Sequence, residues 1–406
     1  GEAETRALHE LIRSLAARGT AIVYVSHRLP DIGDVCERIV VLRGGRLVMD
    51  ASTEGMSVAE LSHALAPEVR LESDWHPTPG ETRLTVQVGG KELAFRDGEI
   101  VGRIAGILNT RANAKFGKKY LNFTNVDFID DDEVVDALFA AVENWGRELG
   151  CEAMHGPLGF SDMDREGMLV EGFDQKSLFY TYYNHPYYPE HLTRRGYQKQ
   201  VDWVEMRITL PKEPNESYAR VAEYIKKKKK LHVINLGDKP IKKLIEDMFS
   251  LYNKTYQVLF GMVPMTDEQM IKYAGEFRPM VEKRTSSFVY NEQGEMVAFG
   301  ICCPSLDGAM QKMKGRTMPF GWVRLLKALK GKNDTVDLLL IGVRPDLQGQ
   351  GVNAVVLDDM LRKSIAAGVK FAETGPMLEL NEHILSQWER FDTVQHKRRR
   401  CYVKEL

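Results

Sequence analysis

Apolar positions Leu8, Leu11, Ile12 and Leu15 recur at helical spacing, and Gly19 follows, which predicts a helix over 5–18. Residues 21–25 are apolar throughout, the pattern of a strand buried on both faces, and 39–42 turned by Gly44-Gly45 predicts a short strand pair. Pro67, Pro77, Pro79 and Gly80 interrupt any period, so 67–84 reads as a linker. Beyond it, strands are predicted at 104–108 and 120–128. A helix starts after Asp130-Asp131-Asp132, whose carboxylates suit a helix dipole. Strands at 151–155 and 203–208 complete this block, and 209–240 reads as a connection whose helix runs into five lysines, Lys226 to Lys230. From 241 the predicted order is helix 241–259, helix 267–277, strands 286–290 and 296–302, then a short apolar helix around 322–329. Strand 335–343, helix 352–367, strand 369–374, helix 382–391 and a closing strand 400–403 follow. The alternation predicts a mixed α/β chain.

Composition narrows the function classes. Of 406 residues, 43% are hydrophobic and 28% charged, with 55 Lys+Arg against 57 Asp+Glu. A net charge of −2 gives no global affinity for nucleic acid or an anionic membrane. No apolar run is long enough for a membrane span, and Gly1 to Glu4 lack a leader's basic and apolar regions. The first residue is not Met, so the chain reads as a fragment. Cys36, Cys151, Cys302, Cys303 and Cys401 are scattered, with no C-x-x-C pair. That excludes a disulfide framework or a cysteine zinc site, and the expectation is a cytoplasmic protein with no metal.

Chemistry concentrates where the strand 335–343 meets the helix from 352. A buried strand ends at Val343 and Arg344 to Gln350 turns directly into a helix, which leaves helix N-terminal amides pointing outward. Glycines at Gly349 and Gly351 remove side chains that would block a pyrophosphate. The run Gln348-Gly349-Gln350-Gly351-Val352-Asn353 resembles the Q/R-x-x-G-x-G/A acetyl-CoA signature of the GNAT acyltransferase superfamily, departing from it at Asn353. The resemblance implies acetyl-CoA or another acyl-CoA as co-substrate, held at Val343 and Gln348 to Asn353. It also implies that Asn381 and Trp388 lie on the helix that approaches the CoA thiol, with Trp388 where a tyrosine acid is expected. Glu373 and Glu379 are candidate bases, His383 is equally a surface residue, and Tyr402 or Cys401 could replace the missing acid.

Residues 85–208 echo this order without the glycine turn, and "VDFIDDDEV" sets carboxylates where a diphosphate needs bare amides. They read as a degenerate GNAT-like half beside a GNAT acyltransferase domain at 241–406; the resemblance to a bacterial family of tandem GNAT-like proteins covers about 102–406. The aromatic stretch 179–188 lines a substrate groove or packs between the halves, and the cluster Lys397 to Arg400 attracts an acidic group or marks a solvated edge strand. Residues 1–66, with "GTAIVYVSHRLPDI" and "VCERIVVLRGGRLV", resemble the tail of a sugar-type ABC transporter ATPase, in which His27 would be the switch histidine. The phosphate loop G-x-x-x-x-G-K-[ST] is missing, so neither ATP nor a transporter partner is expected.

Three functions remain: an acyl-CoA-dependent N-acyltransferase acting on a small-molecule or peptide amine, a non-catalytic CoA-binding or scaffold protein, and an inactive ATPase fragment. No nucleic-acid partner is expected.

Overall fold

The computed structural model describes residues 2–18, 22, 35–43, 46–53, 85–87, 92–235, 237–277, 281–282, 284–317, 320–331 and 333–406. The chain divides into two units, Gly1–Ile100 and Val101–Leu406. In the first, helix α1 (Glu2–Ala17) is followed by an antiparallel hairpin of β1 (Arg38–Arg43) and β2 (Arg46–Ser52), crossed by an Arg38–Asp50 ion pair at 2.7 Å. Strands β3 (Thr85–Gln87) and β4 (Glu92–Arg96) form a second antiparallel pair. His27, residues 67–84 and, Ile22 apart, the strand expected over 21–25 lie outside the described residues.

The second unit is mixed α/β: a large mixed sheet flanked by helices. Its first half contains β5 (Glu99–Ile107), α2 (Thr110–Phe116), β6 (Tyr120–Phe128), α3 (Asp132–Glu148), β7 (Ala153–Gly156), β8 (Met168–Glu171), α4 (Tyr187–Arg194) and β9 (Gln198–Thr209). Helix α5 (Glu216–Lys228) and β10 (His232–Ile234) lead into α6 (Ile241–Tyr256), α7 (Asp267–Phe277), β11 (Ser287–Tyr290) and β12 (Met296–Pro304). Then come α8 (Asp307–Met313), α9 (Gly321–Lys330), β13 (Thr335–Val343), α10 (Val352–Ala366), β14 (Phe371–Thr374), β15 (Met377–Leu378), α11 (Glu382–Leu385) and β16 (Asp392–Glu405).

The strand order is β10-β11-β12-β13-β14-β9-β16-β7-β6-β5, with β15 added to β9 and β8 to β16. An internal repeat explains it. Antiparallel β5–β6 crosses by α3 to a parallel β7, and antiparallel β12–β13 crosses by α10 to a parallel β14. Each half then gives its last strand to the other: β9 pairs with β14, and β16 pairs with β7. The halves expected at 85–208 and 241–406 are therefore interleaved across the β9–β16 seam rather than closed on themselves.

Central strands are buried on both faces, as their unbroken apolar runs require. One face packs Val297, Cys302, Val336 and Ala372 under Val352 and Val356 of α10. The other packs Phe288, Phe299 and Ile301 under Leu244, Met248 and Tyr252 of α6.

The closing strand is the largest departure from the expected elements. Only 400–403 read as strand, because the cations before it signal solvent, yet β16 runs for 14 residues. Lys397 and Arg399 are 1% and 0% exposed and both pair with Glu205 on the neighbouring β9, while Arg400 pairs with Asp202 of the same strand. The cluster is thus neither a solvated edge nor a surface lure for an acidic ligand. The helix expected at 382–391 is only α11 and one 3-10 turn, Trp388–Arg390.

Candidate active site

The bend after β13 contains a single 3-10 turn, Pro345–Leu347, and then two left-handed glycines, Gly349 at φ 68° and Gly351 at φ 80°. Only glycine adopts this conformation without strain. A Cβ on Gly349 would meet nothing within 4 Å, and one on Gly351 would meet Ile225 of α5 at 3.2 Å. The six backbone amides expected to face a ligand separate into two groups. Those of Gln348 and Gln350 are used within the turn, donating to Pro345 O at 3.3 Å and Leu347 O at 3.4 Å. Among the described residues, those of Gly349, Gly351, Val352 and Asn353 have no acceptor.

The side chains fold away from these four amides. Gln348 Nε2 donates to Val343 O at 3.0 Å, and Gln350 Nε2 donates to Asp346 O. Lys229 Nζ donates to Gln350 Oε1, which sets an exposed cation beside the bend. The five-lysine run reads from sequence as a solvated helix end. Its neighbours do pair ordinary surface carboxylates, Lys226 with Glu223 and Lys230 with Glu292, but Lys229 serves the bend. Diphosphate recognition by free amides, a helix dipole and one lysine is a chemically complete set.

Next to the bend, β13 and β14 part. They pair in parallel only from Thr335↔Phe371 to Leu338↔Thr374, and Gly375 N donates to Leu338 O at 3.2 Å as the last link. On its other side β13 is bulged at Leu339 against β12. Where β14 has gone, Tyr256 of α6 holds the exposed edge: its hydroxyl donates to Ile341 O at 2.8 Å and accepts from Ile341 N at 3.3 Å.

A cluster of buried polar side chains, called the chamber below, lies at the base of this gap. Register sets Asp337 of β13 opposite Glu373 of β14 and Cys303 of β12, and Glu373 opposite Arg207 of β9. Asp337 is 0% exposed and its Oδ1 completes no hydrogen bond; the same holds for Ser305 Oγ beside it, Tyr180 Oη and Arg399 Nη2. Tyr180 reaches in from the loop after β8, and its hydroxyl sits 2.6 Å from where a Cβ on Gly375 would be. Burial pushes the Asp337 carboxyl up to about 7; Ser305 opposes this, Asp307 and Glu373 add to it, and Lys397 opposes it again. Burial, with the charges of Asp337, Cys303 and Glu205, keeps the Tyr180 hydroxyl protonated far above neutrality. A base near neutrality beside a retained phenolic proton is an arrangement for moving protons at the strand parting.

A second pair of carboxyls stands near Tyr252 and Tyr256. Burial pushes Asp162 up to about 6, against the Tyr252 hydroxyl, and burial with Asp162 and Asp164 raises Glu166 well above the ordinary range. Sequence reasoning missed Asp337, Asp162 and Glu166, and had Tyr180 only as one of the aromatics offered for a substrate groove or for packing between the halves. Asp337 is hidden in an apolar strand, where one acidic residue among Val, Leu and Ile was itself the available signal.

The expected site residues are distributed as follows. Val343 closes β13, and Gln348 to Asn353 form the bend. Glu373 reaches the chamber, but Arg207 Nε at 2.6 Å and His396 Nε2 at 2.7 Å flank it. Burial would raise its carboxyl; His396 and Arg207 outweigh that and hold it below the usual range, which makes it a poor proton acceptor. Tyr402 is buried on β16, two strands beyond β14, with Arg400 over its ring at 5.9 Å. Asn381 caps α11 by accepting from Ile384 N. Trp388 is buried in the α10 core layer and donates to Met377 Sδ. Glu379 is tied to Lys199 and Arg398, Cys401 is fully buried, and His383 is exposed.

Most of the 179–188 stretch packs: Tyr188 stacks on Phe128 at 4.1 Å, and Tyr187 donates to Phe128 O. Tyr180 alone enters the chamber. At the equivalent helix start in the first half, Asp131 accepts from Val134 N and Arg195 binds Asp132 and Asp136, so that end is already filled.

No family model matches the chain. It is 28% identical over 325 residues to "Protein YghO" of Escherichia coli K12, covering 77% of this chain and 81% of that protein. It is 25% identical over 323 residues to "Bacterial ceramide synthase" of Caulobacter vibrioides, covering 77% and 83%. A match of 36% identity over 115 residues to the ribose import ATP-binding protein RbsA 2 of Mesorhizobium japonicum covers 26% of this chain and 22% of that protein. Similar solved structures include a tandem GNAT protein from the clavulanic acid biosynthesis pathway, at 11% identity and TM-score 0.43, covering 78% and 82%. A GCN5-related N-acetyltransferase from Sphaerobacter thermophilus stands at 12% and 0.41, covering 78% and 80%.

Proposed function

We propose that the second unit is an acyl-CoA-dependent N-acyltransferase. The observation that carries this is the bend with four unused amides, Gly349, Gly351, Val352 and Asn353, placed beside a parted strand pair and a buried polar chamber. The amides and Lys229 receive the diphosphate of the co-substrate, and the gap between β13 and β14 leads its thioester toward the chamber. The ceramide synthase similarity points the same way, since a ceramide is an N-acyl amino alcohol.

In this reading the acceptor enters the chamber as an ammonium and loses one proton to Asp337. The free amine attacks the thioester carbonyl, a C–N bond forms and the C–S bond breaks. Tyr180 gives its proton to the departing thiolate and takes the second proton from the nitrogen, so Tyr180 ends unchanged and Asp337 carries the one proton the reaction releases. Glu373, fixed by Arg207 and His396, contributes charge rather than proton transfer. Trp388 is buried against the core, so it is no acid, and Tyr180 fills that vacancy from the other half of the repeat.

Calorimetric titration with CoA tests the bend. Binding is expected, and its absence at millimolar ligand ends the proposal. Gly351→Trp should abolish it by driving a ring into Ile225 and the amides. Asn353→Glu is the gentler variant: a carboxylate in the first helical turn does not weaken the helix, but it repels a diphosphate, so affinity should fall about tenfold with an unchanged melting temperature. CoA binding without turnover over an amine panel would favour a CoA-binding scaffold instead.

A further inference from the structure

Between Asp307 and Asp334 the sequence contains no acidic residue. Through that stretch run α8 and α9, where Lys312, Lys314, Arg316, Arg324, Lys327 and Lys330 are all exposed. None of the six has a carboxylate within 4.0 Å among the described residues. On the same hairpin Phe320 is 73% exposed, Trp322 47% and Leu326 41%. Trp322 and Leu326 lie four apart, hence on one side of α9, and Phe320 precedes its first turn. Arg324 Nη1 donates to Lys312 O at 3.0 Å, which fixes the two helices to each other. The whole chain is close to neutral, so this is a local concentration of charge.

We propose that the α8–α9 hairpin docks the protein on an anionic lipid surface. An aqueous contact leaves a tryptophan, a phenylalanine and a leucine in water beside uncompensated cations, whereas a bilayer interface satisfies both: the apolar side chains enter the headgroup boundary and the lysines and arginines meet lipid phosphates. The α9 helix is about 15 Å long, which suits lying in the interface and not crossing it, and no helix among the described residues is long and apolar enough to span a membrane. A nucleic acid would use the cations but gives no reason for Leu326 and Phe320 to be bare. Ser305 and Asp307 stand at the root of α8 and flank the Asp337 chamber, so docking would set that chamber close to the lipid.

Cosedimentation of the full chain with phosphatidylcholine vesicles, with and without phosphatidylglycerol, tests this. Binding is expected only with the anionic lipid, and it should weaken as salt is raised. Arg324→Glu with Lys327→Glu should weaken it by about 30-fold or more, and Leu326→Asp should weaken it while leaving circular dichroism and melting temperature unchanged. Equal sedimentation with both vesicle types, indifference to the charge reversal, or binding to duplex DNA in place of vesicles would each overturn the proposal. None of these outcomes depends on whether CoA binds.

Discussion

Asp337→Asn is expected to lower the acyl-transfer rate by about 10²–10³-fold, the usual contribution of a positioned base, and to leave CoA affinity unchanged because the bend lies at the other end of β13. The pH profile carries the sharper signature. Wild-type activity should climb as Asp337 ionises near pH 7, the value burial gives it, and the variant should lose that limb. Groups facing this carboxyl are Glu373 and Asp307, which hold its proton on, and Lys397, which pulls it off, with Ser305, Cys303 and the Tyr180 hydroxyl as neutral neighbours. Stability should move in the opposite sense to activity. A carboxyl whose folded pKa is raised binds more protons folded than unfolded, so its contribution is complete below about pH 4 and is lost as pH climbs toward 7. Asparagine has no charge to desolvate. The variant should therefore match the wild type at low pH and exceed it at pH 8, by an amount on the order of 2–4 kcal/mol. Urea melts at the two pH values read this directly. A slower enzyme with an unaltered pH limb would remove Asp337 from the chemistry and return the question to Asp162 and Glu166.

The elements that could be seen from sequence are those whose local pattern agrees with their final environment. Strand 335–343 is apolar because both its faces are covered, and 120–128 and 267–277 carry their own period, so all three appear with the bounds expected. The bend was legible because two glycines and a helix start are local features. What stayed hidden depends on residues far apart in the chain. Lys397 and Arg399 look solvated until Glu205, nearly two hundred residues earlier, is set beside them by the strand exchange. Tyr180 looks like one aromatic among many until the fold of the other half brings Gly375 against its hydroxyl. Glu373 was the visible carboxylate because it stands at a strand end; the partners that hold its charge, half-buried His396 and exposed Arg207, come from two further strands. Spacing reports what a segment does to itself, and the chamber is built from β12, β13, β14, β16 and a loop of the opposite half, so no spacing contains it.

The same seam predicts the largest loss of stability. Glu205 on β9 accepts from Arg399 Nε at 2.5 Å and faces Lys397 Nζ at 2.8 Å, and all three side chains are at most 1% exposed. Burial would raise the Glu205 carboxyl, yet the neighbouring Arg399 and Lys397 hold it below the usual range, so Glu205 is charged in the folded state. Arg399→Met keeps most of the aliphatic volume and removes the guanidinium. It also frees Tyr182 O, to which Arg399 Nη1 donates. Breaking a buried ion network from one side costs about 3–5 kcal/mol, because the desolvated partner remains. The loss should appear as a melting temperature lower by roughly 10 °C. Removing Glu205 as well, as Glu205→Leu with Arg399→Met, should cost less than the two single losses added together, since their mutual contact is lost only once and the residual charge is Lys397 alone, whose Nζ still donates to Lys176 O at 2.8 Å. A double variant whose loss equals or exceeds the sum of the single losses would mean the triad is replaceable packing rather than a network. The position matters beyond its own contacts: β9 and β16 are the strands the two halves exchange, so loosening their shared triad loosens both sheets at once, and unfolding of the unit should remain a single transition even in the weakened protein.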